Sequence, residues 1–231
     1  IVIDEAQDFS IFQFYTMKQV IKDSTFTIFG DLAQGIHSYR AITDWEALRE
    51  RVFLGKAGYL TLEQSYRTTI EIMEAANRVL EKLGSARPAA AKTMVRHGAN
   101  VSVNPKTNIK EITTVIERRI GELTAGGLKS IAVIGKTTAE CQEIYELLKK
   151  PIPALSIVTG KEAEYKAGLV VVPVYLAKGL EFDAVIIANG SQANYQENDL
   201  DIKLLYVAMT RALHYLDIYY HGELSPLLKN L

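Results

Sequence analysis

The feature that most constrains this chain is an alternation of short apolar runs with helical patterns. The runs that predict strands are Ile1–Ile3, Phe26–Phe29, Tyr59–Leu62, Ser130–Ile134, Leu155–Val158, Leu169–Val174, Ala184–Ala188 and Leu216–Tyr220. Several of them are apolar at almost every position, which is typical of strands buried on both faces of a parallel sheet. The alternation predicts an α/β fold in which helices flank a parallel sheet.

Four predicted helices begin at capping sequences. Thr43, Thr68 and Thr137 each stand three residues before a glutamate, which is the capping-box pattern. Asn108 begins an Asn variant of the same pattern. The segment 84–105, by contrast, favours neither a helix nor a strand.

Composition restricts the class of protein. Of 231 residues, 48% are hydrophobic and 23% charged, which suffices for a sizeable core. The net charge of −1 gives no overall basic field, so any nucleic-acid surface must be local. The single Cys141 excludes a disulfide framework and a cysteine-based zinc site. The single cysteine fits a reducing cytosol, so we expect a cytoplasmic protein. No apolar run approaches the length of a membrane span, so we expect no membrane partner.

Paired acids directly follow the first predicted strand. After such a strand, Asp4 can hold Mg²⁺ through its waters, and Glu5 can orient and deprotonate an attacking water. The chain has no Gly-x-x-x-x-Gly-Lys-Ser/Thr phosphate-binding loop, and it begins with Ile rather than Met. We therefore expect that loop in a missing N-terminal part of the same polypeptide, and interpret the chain as the back part of an NTP-driven motor.

A glycine-punctuated loop follows the second predicted strand, at the strand end where α/β domains bind ligands. Its Gln34 offers an amide that can donate to a phosphate oxygen and accept from a water. His37 and Tyr39 offer flat faces on which a base can stack. A polar turn with buried aromatic residues explains the same segment equally well.

A strand-to-helix junction carries Tyr66 and Arg67. A guanidinium at this place can reach across a cleft to a transferring phosphoryl group, and the tyrosine ring can stack on a nucleobase. For an isolated Tyr-Arg, a surface ion pair is the simpler interpretation.

Two further segments lie near the carboxyl terminus. In the first, Gly179 lets the backbone approach a ligand and Glu181 can accept from a ribose hydroxyl. The alternative is that Lys178–Glu181 is an ordinary connecting turn. In the second, Leu204–Ala212 predicts a helix with Arg211 near its end, where a lone arginine can also merely complement the helix dipole.

Together and in this order, the segments resemble the motor of superfamily I helicases of the UvrD/Rep/PcrA kind. The resemblance covers the chain in separated blocks, as motifs II, III, IV, V and VI in Asp4–Asp8, Gly30–Ile36, Gln64–Thr68, Ala177–Asp183 and Tyr206–Ala212. It implies an α/β fold of the RecA-like, P-loop NTPase type, with one complete domain and a remnant of a second. We expect residues 1–57 to end the first RecA-like domain and residues 58–231 to form the second.

The resemblance implies a role for each matching residue of the first predicted domain, residues 1–57. Asp4 would bind Mg²⁺, Glu5 would activate water, and Gln34 would sense the γ-phosphate of ATP. Arg40 would support the cleft between the domains. His37 and Tyr39 would lie where the family stacks aromatic residues on the bases of single-stranded DNA.

The resemblance likewise implies roles for residues of the second predicted domain, residues 58–231. Tyr66 would stack on adenine, and Arg67 and Arg211 would be arginine fingers that act on the phosphates. Glu181 would contact the ribose, with Gly179 permitting the approach. The implied activity is ATP hydrolysis coupled to 3′–5′ movement on single-stranded DNA, in the cytoplasm at the nucleoid.

The departures from the family pattern leave alternatives open. Pro173–Leu176, which includes Tyr175, replaces the Thr-x-His-Ser that contacts the DNA backbone in UvrD-like motif V. The variants are more similar to the helicase IV/HelD branch, some members of which act on RNA polymerase without unwinding duplex. A non-catalytic interaction module is a third interpretation, which the intact set of charged residues disfavours.

Overall fold

The structure, a computed structural model, describes residues 1–21, 23–36, 42–62, 64–86, 92–93, 96–161 and 168–231. The chain divides into two compact units, Ile1–Glu63 and Gln64–Leu231, here called unit 1 and unit 2. The assignment of residues 1–57 and 58–231 to two RecA-like domains stays a prediction. No helix in the described part of the chain is long and apolar enough to cross a membrane.

The described part of unit 1 contains two very short strands and two α-helices. Their bounds are β1 Val2–Ile3, α1 Ile11–Val20, β2 Thr27–Ile28 and α2 Trp45–Phe53. The strands pair in parallel, with Val2 opposite Thr27 and Ile3 opposite Ile28. A small apolar core joins them, formed by Ile3, Ala6, Phe14, Ile42, Leu48 and Val52.

Side-chain caps fix where the helices of unit 1 begin. Ser10 and Gln13 form a reciprocal capping box at the start of α1. The start of α2 lies one residue later than predicted, because Asp44 and not Thr43 is the cap. The Asp44 carboxylate accepts from the backbone N–H groups of both Glu46 and Ala47, and a hydroxyl in the preceding position cannot do so.

Unit 2 holds the other elements. They are β3 Gln64–Ser65, α3 Ile70–Leu80, β4 Lys92–Thr93, β5 Ser102–Lys106, α4 Ile109–Ala125, β6 Ile131–Gly135, α5 Thr138–Leu148, β7 Ser156–Ile157, β8 Leu169–Pro173, α6 Val174–Ala177, β9 Phe182–Ile187, α7 Asp199–Met209 and β10 Ala212–His221. Six strands form one sheet in the order β5-β10-β9-β6-β8-β7, and every neighbouring pair is parallel. The predicted α/β class is confirmed. Strands β3 and β4 form a separate parallel pair.

The central strands of unit 2 are buried on both faces. In β6, β8 and β9 nearly all side chains are inaccessible to water, as their continuous apolar sequences predict. Helices α4 and α5 pack on the sheet through Ile112, Ile116, Ile120, Ile144 and Leu148. Helix α7 contacts α3, α6 and β9.

Two strand predictions differ from the structure. No strand forms at Tyr59–Leu62, where Leu60 and Leu62 point into water, and β3 begins only at Gln64. The opposite error falls on β5, which lies in the segment where the sequence predicts no element. Its Pro105 is tolerated because β5 is an edge strand and pairs only with β10.

Candidate functional site

The acid segment, residues 4–8, leaves the buried end of β1 in a strained turn. Asp4 Oδ1 accepts from the backbone N–H of Glu5 at 2.8 Å. Glu5 has φ 52° and ψ 38°, a left-handed conformation that glutamate rarely adopts. Such strain costs about 1–3 kcal/mol and clusters at functional sites. Because both carboxylates are exposed, they can meet a solvent-borne ligand.

A buried amide connects the acid segment to Gln34. Gln7, only 1% exposed, donates from Nε2 to Glu5 Oε2 at 2.5 Å and accepts at Oε1 from the backbone N–H of Asp31 at 2.9 Å. Asp31 Oδ2 in turn accepts from Gln34 Nε2 at 2.8 Å. The structure therefore brings the predicted residues Glu5 and Gln34 into one hydrogen-bonded network. Sequence reasoning missed Gln7 and Asp31, although both are polar residues that closely follow a predicted strand.

Gly30 is required by the close packing of this network. A Cβ at this position would lie 2.6 Å from Gln7 Oε1 and 2.8 Å from Cη2 of Trp45. Any side chain here would therefore push Gln7 away from Asp31.

The acid segment does not by itself form a metal cage. Among the described residues, no group of three or more His, Cys, Asp or Glu side chains is placed to hold a metal ion. Protein-bound Mg²⁺ usually keeps several waters and takes one or two carboxylates together with substrate phosphates. The predicted ligand Asp4 fits a site of this kind, in which the phosphates of the nucleotide supply further ligands.

Unit 2 brings together three segments that are far apart in sequence. Arg67 Nε lies 2.6 Å from Glu181 Oε1, and the two side chains are 45% and 42% exposed. Arg211 Nη1 donates to the backbone oxygen of Leu180 at 3.4 Å. Both predicted arginine fingers therefore contact adjacent residues of one loop. Arg67, Leu180, Glu181 and Arg211 are called the arginine cluster below.

The two arginines differ in their surroundings. Arg211 is 1% exposed and donates to the backbone oxygen of Val207 at 3.1 Å and to Thr210 Oγ1 at 3.2 Å. It lies just after the last turn of α7, where the carbonyl oxygens carry partial negative charge and favour a cation. Arg67, by contrast, is open to water beside Glu181, and an exposed ion pair of this kind contributes little to stability.

The backbone turns at Gly179 before Glu181 and is anchored at Asp183 after it. Gly179 has φ +79°, which glycine adopts without strain, and no atom lies within 4 Å of where its Cβ would be. Asp183 Oδ2 accepts from the backbone N–H groups of Lys129 and Ser130, each at 3.0 Å. The Ser130 and Lys129 hydrogen bonds lower the pKa of the Asp183 carboxyl, so it stays ionised and anchors the start of β9.

The predicted aromatic positions are placed as follows. Tyr66 is exposed next to Arg67, and its hydroxyl donates to Gln64 Oε1 at 3.2 Å, which leaves the ring free to stack. Tyr175 lies in α6, with its hydroxyl 2.9 Å from Thr138 Oγ1 at the start of α5. His37, Tyr39 and Arg40 lie outside the described residues.

Comparison with known proteins finds helicases that are similar to this chain. The family model for the UvrD-like helicase C-terminal domain matches residues 168–219, which include Gly179, Glu181 and Arg211. The ATP-dependent DNA helicase PcrA of Bacillus subtilis (strain 168) is 28% identical over 162 residues, which are 68% of this chain and 22% of that protein. PcrA of Staphylococcus aureus (strain Mu50) is 24% identical over 163 residues, or 69% of this chain and 22% of that protein. The chain thus spans about a fifth of the length of these relatives.

A solved structure is similar over most of the chain. The C-terminal domain of a possible DNA helicase from Lactobacillus plantarum WCFS1 is 32% identical, with a TM-score of 0.59. The match covers 71% of this chain and 92% of that domain. The chain therefore belongs to the UvrD/PcrA-like family of superfamily I helicases, whose C-terminal RecA-like domain it contains.

Proposed function

We propose that this chain is the C-terminal motor portion of an ATP-dependent superfamily I helicase or translocase that moves 3′–5′ along single-stranded DNA. The observation that carries the proposal is the arginine cluster. Arg67 and Arg211 come from separate segments, yet both contact the loop Leu180–Glu181. Guanidinium groups held in this way are suited to the charge that develops on a transferring phosphoryl group.

In this proposal, unit 1 supplies the acids. ATP would bring the phosphoryl group, and Mg²⁺ would supply divalent charge that offsets the phosphate charge. Asp4 holds the ion, and Glu5 orients and deprotonates the attacking water. Gln34, which shares a network with Glu5, senses the γ-phosphate. Arg40 supports the cleft.

Unit 2 supplies the groups that bind the nucleotide and its developing charge. Arg67 exchanges Glu181 for a phosphate oxygen, a step that its exposed ion pair allows at little cost. Glu181, once released, can accept from a ribose hydroxyl, with Gly179 shaping the loop. Arg211 acts from the end of α7, and Tyr66 stacks on adenine.

The two proposed RecA-like domains, residues 1–57 and 58–231, would close on ATP. The phosphate-binding loop would come from an N-terminal part of the same polypeptide, so residues 1–231 alone should not turn over ATP.

The test is a DNA-stimulated ATPase assay of the full-length protein and of residues 1–231. We expect turnover only in the full-length protein, and expect Glu5→Gln to abolish it while ATP binding persists. Robust turnover by residues 1–231, or by full-length Glu5→Gln, would refute the assignment.

The proposed contact with single-stranded DNA rests on aromatic side chains. Tyr175 and, outside the described residues, His37 and Tyr39 are assigned to stack on bases, a contact of about 1–3 kcal/mol per base. Replacement of Tyr175 by Ala should weaken binding of an oligothymidine, measured by fluorescence anisotropy. Unchanged affinity would remove Tyr175 from the strand site.

One observation favours a second function, a HelD-type factor that uses ATP to remodel RNA polymerase without unwinding duplex. In the segment Pro173–Leu176, Pro173 ends β8, Val174 is fully buried, and the Tyr175 hydroxyl already contacts Thr138. This segment offers fewer free polar groups to a DNA backbone than Thr-x-His-Ser. An unwinding assay on a tailed duplex, beside a pull-down with core RNA polymerase, separates the two functions. A cytoplasmic, nucleoid-associated location accompanies both proposals.

A further inference from the structure

The backbone that carries Arg67 is held at both ends by one other segment of unit 2. Before Arg67, strand β3 pairs in parallel with β4, with Ser65 opposite Thr93. After Arg67, the backbone N–H of Ile70 donates to the backbone oxygen of Arg96 at 3.0 Å. Residues 96–98, here called the strap, thus cross the first turn of α3 directly beside the turn that presents Arg67.

A single carboxylate fastens the strap to α3. Glu71 Oε2 accepts from the backbone N–H of Gly98 at 2.8 Å, and Glu71 Oε1 lies 2.9 Å from His97 Nδ1. Because Glu71 is in the first turn of the helix, this contact and the Ile70 hydrogen bond hold the strap at neighbouring positions. The start of an α-helix leaves backbone N–H groups without an intrahelical partner, and the Arg96 oxygen satisfies one of them.

The strap fits against α3 only because residue 98 is glycine. A Cβ there would lie 2.4 Å from Cγ2 and 3.0 Å from Cβ of Thr69. Thr69 is buried and caps α3 by accepting from the backbone N–H of Ile72. A methyl group at position 98 must therefore displace either the strap or the cap, two residues from Arg67.

The strap also reaches the strand that follows Arg211. The Arg96 guanidinium donates to the ring of His214, which lies in β10 three residues after Arg211. Burial and the neighbouring Arg96 charge lower the pKa of His214, which keeps its ring neutral and able to accept. One short segment therefore contacts the elements that carry both arginines.

We propose that the strap positions Arg67 for catalysis, with Glu71, His97 and Gly98 as positioning residues that themselves touch no nucleotide. The inference rests on the proposed role of Arg67 as an arginine finger. A misplacement of about 1 Å in a catalytic group can cost about 10²-fold in rate. Loosening the strap should therefore lower kcat for ATP hydrolysis while the KM for ATP changes little.

The experiment compares Glu71→Gln, Gly98→Ala and His97→Ala in the full-length protein under DNA-stimulated conditions. We expect kcat to fall about 10- to 100-fold in the first two and less in His97→Ala. The matched controls are Glu74→Gln, an exposed glutamate on the same helix, and Gly121→Ala, where a Cβ meets no atom within 4 Å. Both controls should keep kcat within about twofold of the parent.

A second arm separates positioning from general stability. In an Arg67→Ala background, Glu71→Gln should lower kcat no further, since there is no longer a guanidinium to position. Thermal unfolding checks that each variant is folded. If Gly98→Ala does not fold, His97→Ala still tests the strap, because it alters an exposed side chain.

The outcomes are distinct. If Arg67→Ala loses turnover while all three strap variants keep kcat within about twofold, the strap proposal is overturned and the role of Arg67 stands. If Glu71→Gln costs as much in the Arg67→Ala background as in the parent, the strap acts elsewhere and the proposal is again wrong. A full-length protein without ATPase activity overturns both.

Discussion

Unit 1 and unit 2 place their charged groups on very different foundations. In the arginine cluster, Leu180, Glu181 and Arg211 lie at the ends of elements of a six-stranded parallel sheet whose central strands are closed to water, and Arg67 follows the separate short strand β3. The acid segment follows a two-residue strand with a single partner. Unit 1 also exposes large apolar side chains, among them Val2, Phe12, Val20, Leu60 and Leu62.

The difference is one of how each site is held in shape. In unit 2, packing of the whole sheet fixes the ends of β8, β9 and α7, which hold Glu181 and Arg211. Arg67 contacts this framework through its ion pair with Glu181. In unit 1, the Glu5 carboxylate accepts from the buried amide of Gln7, which lies two residues further along the same short segment. We infer that Glu181 and Arg211 are preorganised, whereas Arg67 and the acids of unit 1 are easier to displace.

The largest expected effect comes from removing the exposed arginine. Arg67→Ala in the full-length protein should lower kcat for ATP hydrolysis about 10³- to 10⁵-fold, as for other arginine fingers. Arg67→Lys should recover little, because an ammonium lacks the planar fork. Arg78→Ala removes an exposed arginine of α3 that donates to the backbone oxygen of Asn230, and should leave steady-state turnover unchanged. A mild effect of Arg67→Ala would mean that the cluster is merely structural.

The next largest effect tests the unequal cores. Ile186→Ala in β9 removes a fully buried side chain and should lower the free energy of unfolding of unit 2 by about 2–5 kcal/mol. Ile3→Ala in β1 should cost less, because the small core of unit 1 can relax around it. The single tryptophan, Trp45, lies in unit 1, so its fluorescence in urea follows that unit while far-UV circular dichroism follows mainly unit 2.

We also expect Trp45 to report unfolding at lower urea than circular dichroism does. If both signals report unfolding at the same urea concentration, and Ile186→Ala and Ile3→Ala lower the free energy of unfolding equally, the two units do not differ in stability as we infer.

A smaller effect probes the network that joins Glu5 to Gln34. Gly30→Ala places a Cβ 2.6 Å from Gln7 Oε1 and should destabilise unit 1 by about 1–3 kcal/mol. Gly35→Ala is the matched control, since its Cβ would meet its nearest neighbour at 3.4 Å. Both variants can be compared by urea unfolding followed at Trp45. Equal stability of the two would show that Gln7 has room to move.

The smallest effect is a pH dependence in unit 2. The N–H of Glu71 itself, His97 and the N–H of Gly98 lower the pKa of the Glu71 carboxyl from 4.5 to about 2. Because the pKa is lower in the folded state, its stabilising contribution is complete above pH 4.5 and is lost as pH falls towards 2. The Glu71→Gln variant should lack that part of the acid sensitivity. An NMR titration of the Glu71 carboxyl with a midpoint near 4.5 would contradict the strap contacts.

Sequence predicted the fold best where the chemistry is local or repetitive. The runs at Leu169–Val174 and Ala184–Ala188 are apolar throughout, and both became buried parallel strands. Asn108 and Thr137 cap their helices as predicted, since a cap depends on residues three positions apart. The sequence did not predict β5 because it contains Pro105. A proline is tolerated in an edge strand, and whether a strand is at the edge depends on its neighbours, which the local sequence does not show.

For the candidate site too, the sequence predicted the residues but not the contacts between distant segments. The motif order identified Arg67, Glu181 and Arg211, and the structure brings them to one loop. That Glu181 pairs with Arg67, or that Arg211 is fully buried, depends on contacts between distant segments that no local pattern encodes. Gln7 and the strap escaped notice for the same reason, because their partners lie in other parts of the chain.

The most direct test is a structure of the full-length protein with Mg²⁺, ADP and tetrafluoroaluminate, a mimic of the phosphoryl group in transfer. We predict that Arg67 leaves Glu181 and, with Arg211, contacts the fluoride ligands, while Asp4 lies beside the magnesium ion. Arg67 still paired with Glu181, and Asp4 remote from the metal, would contradict it.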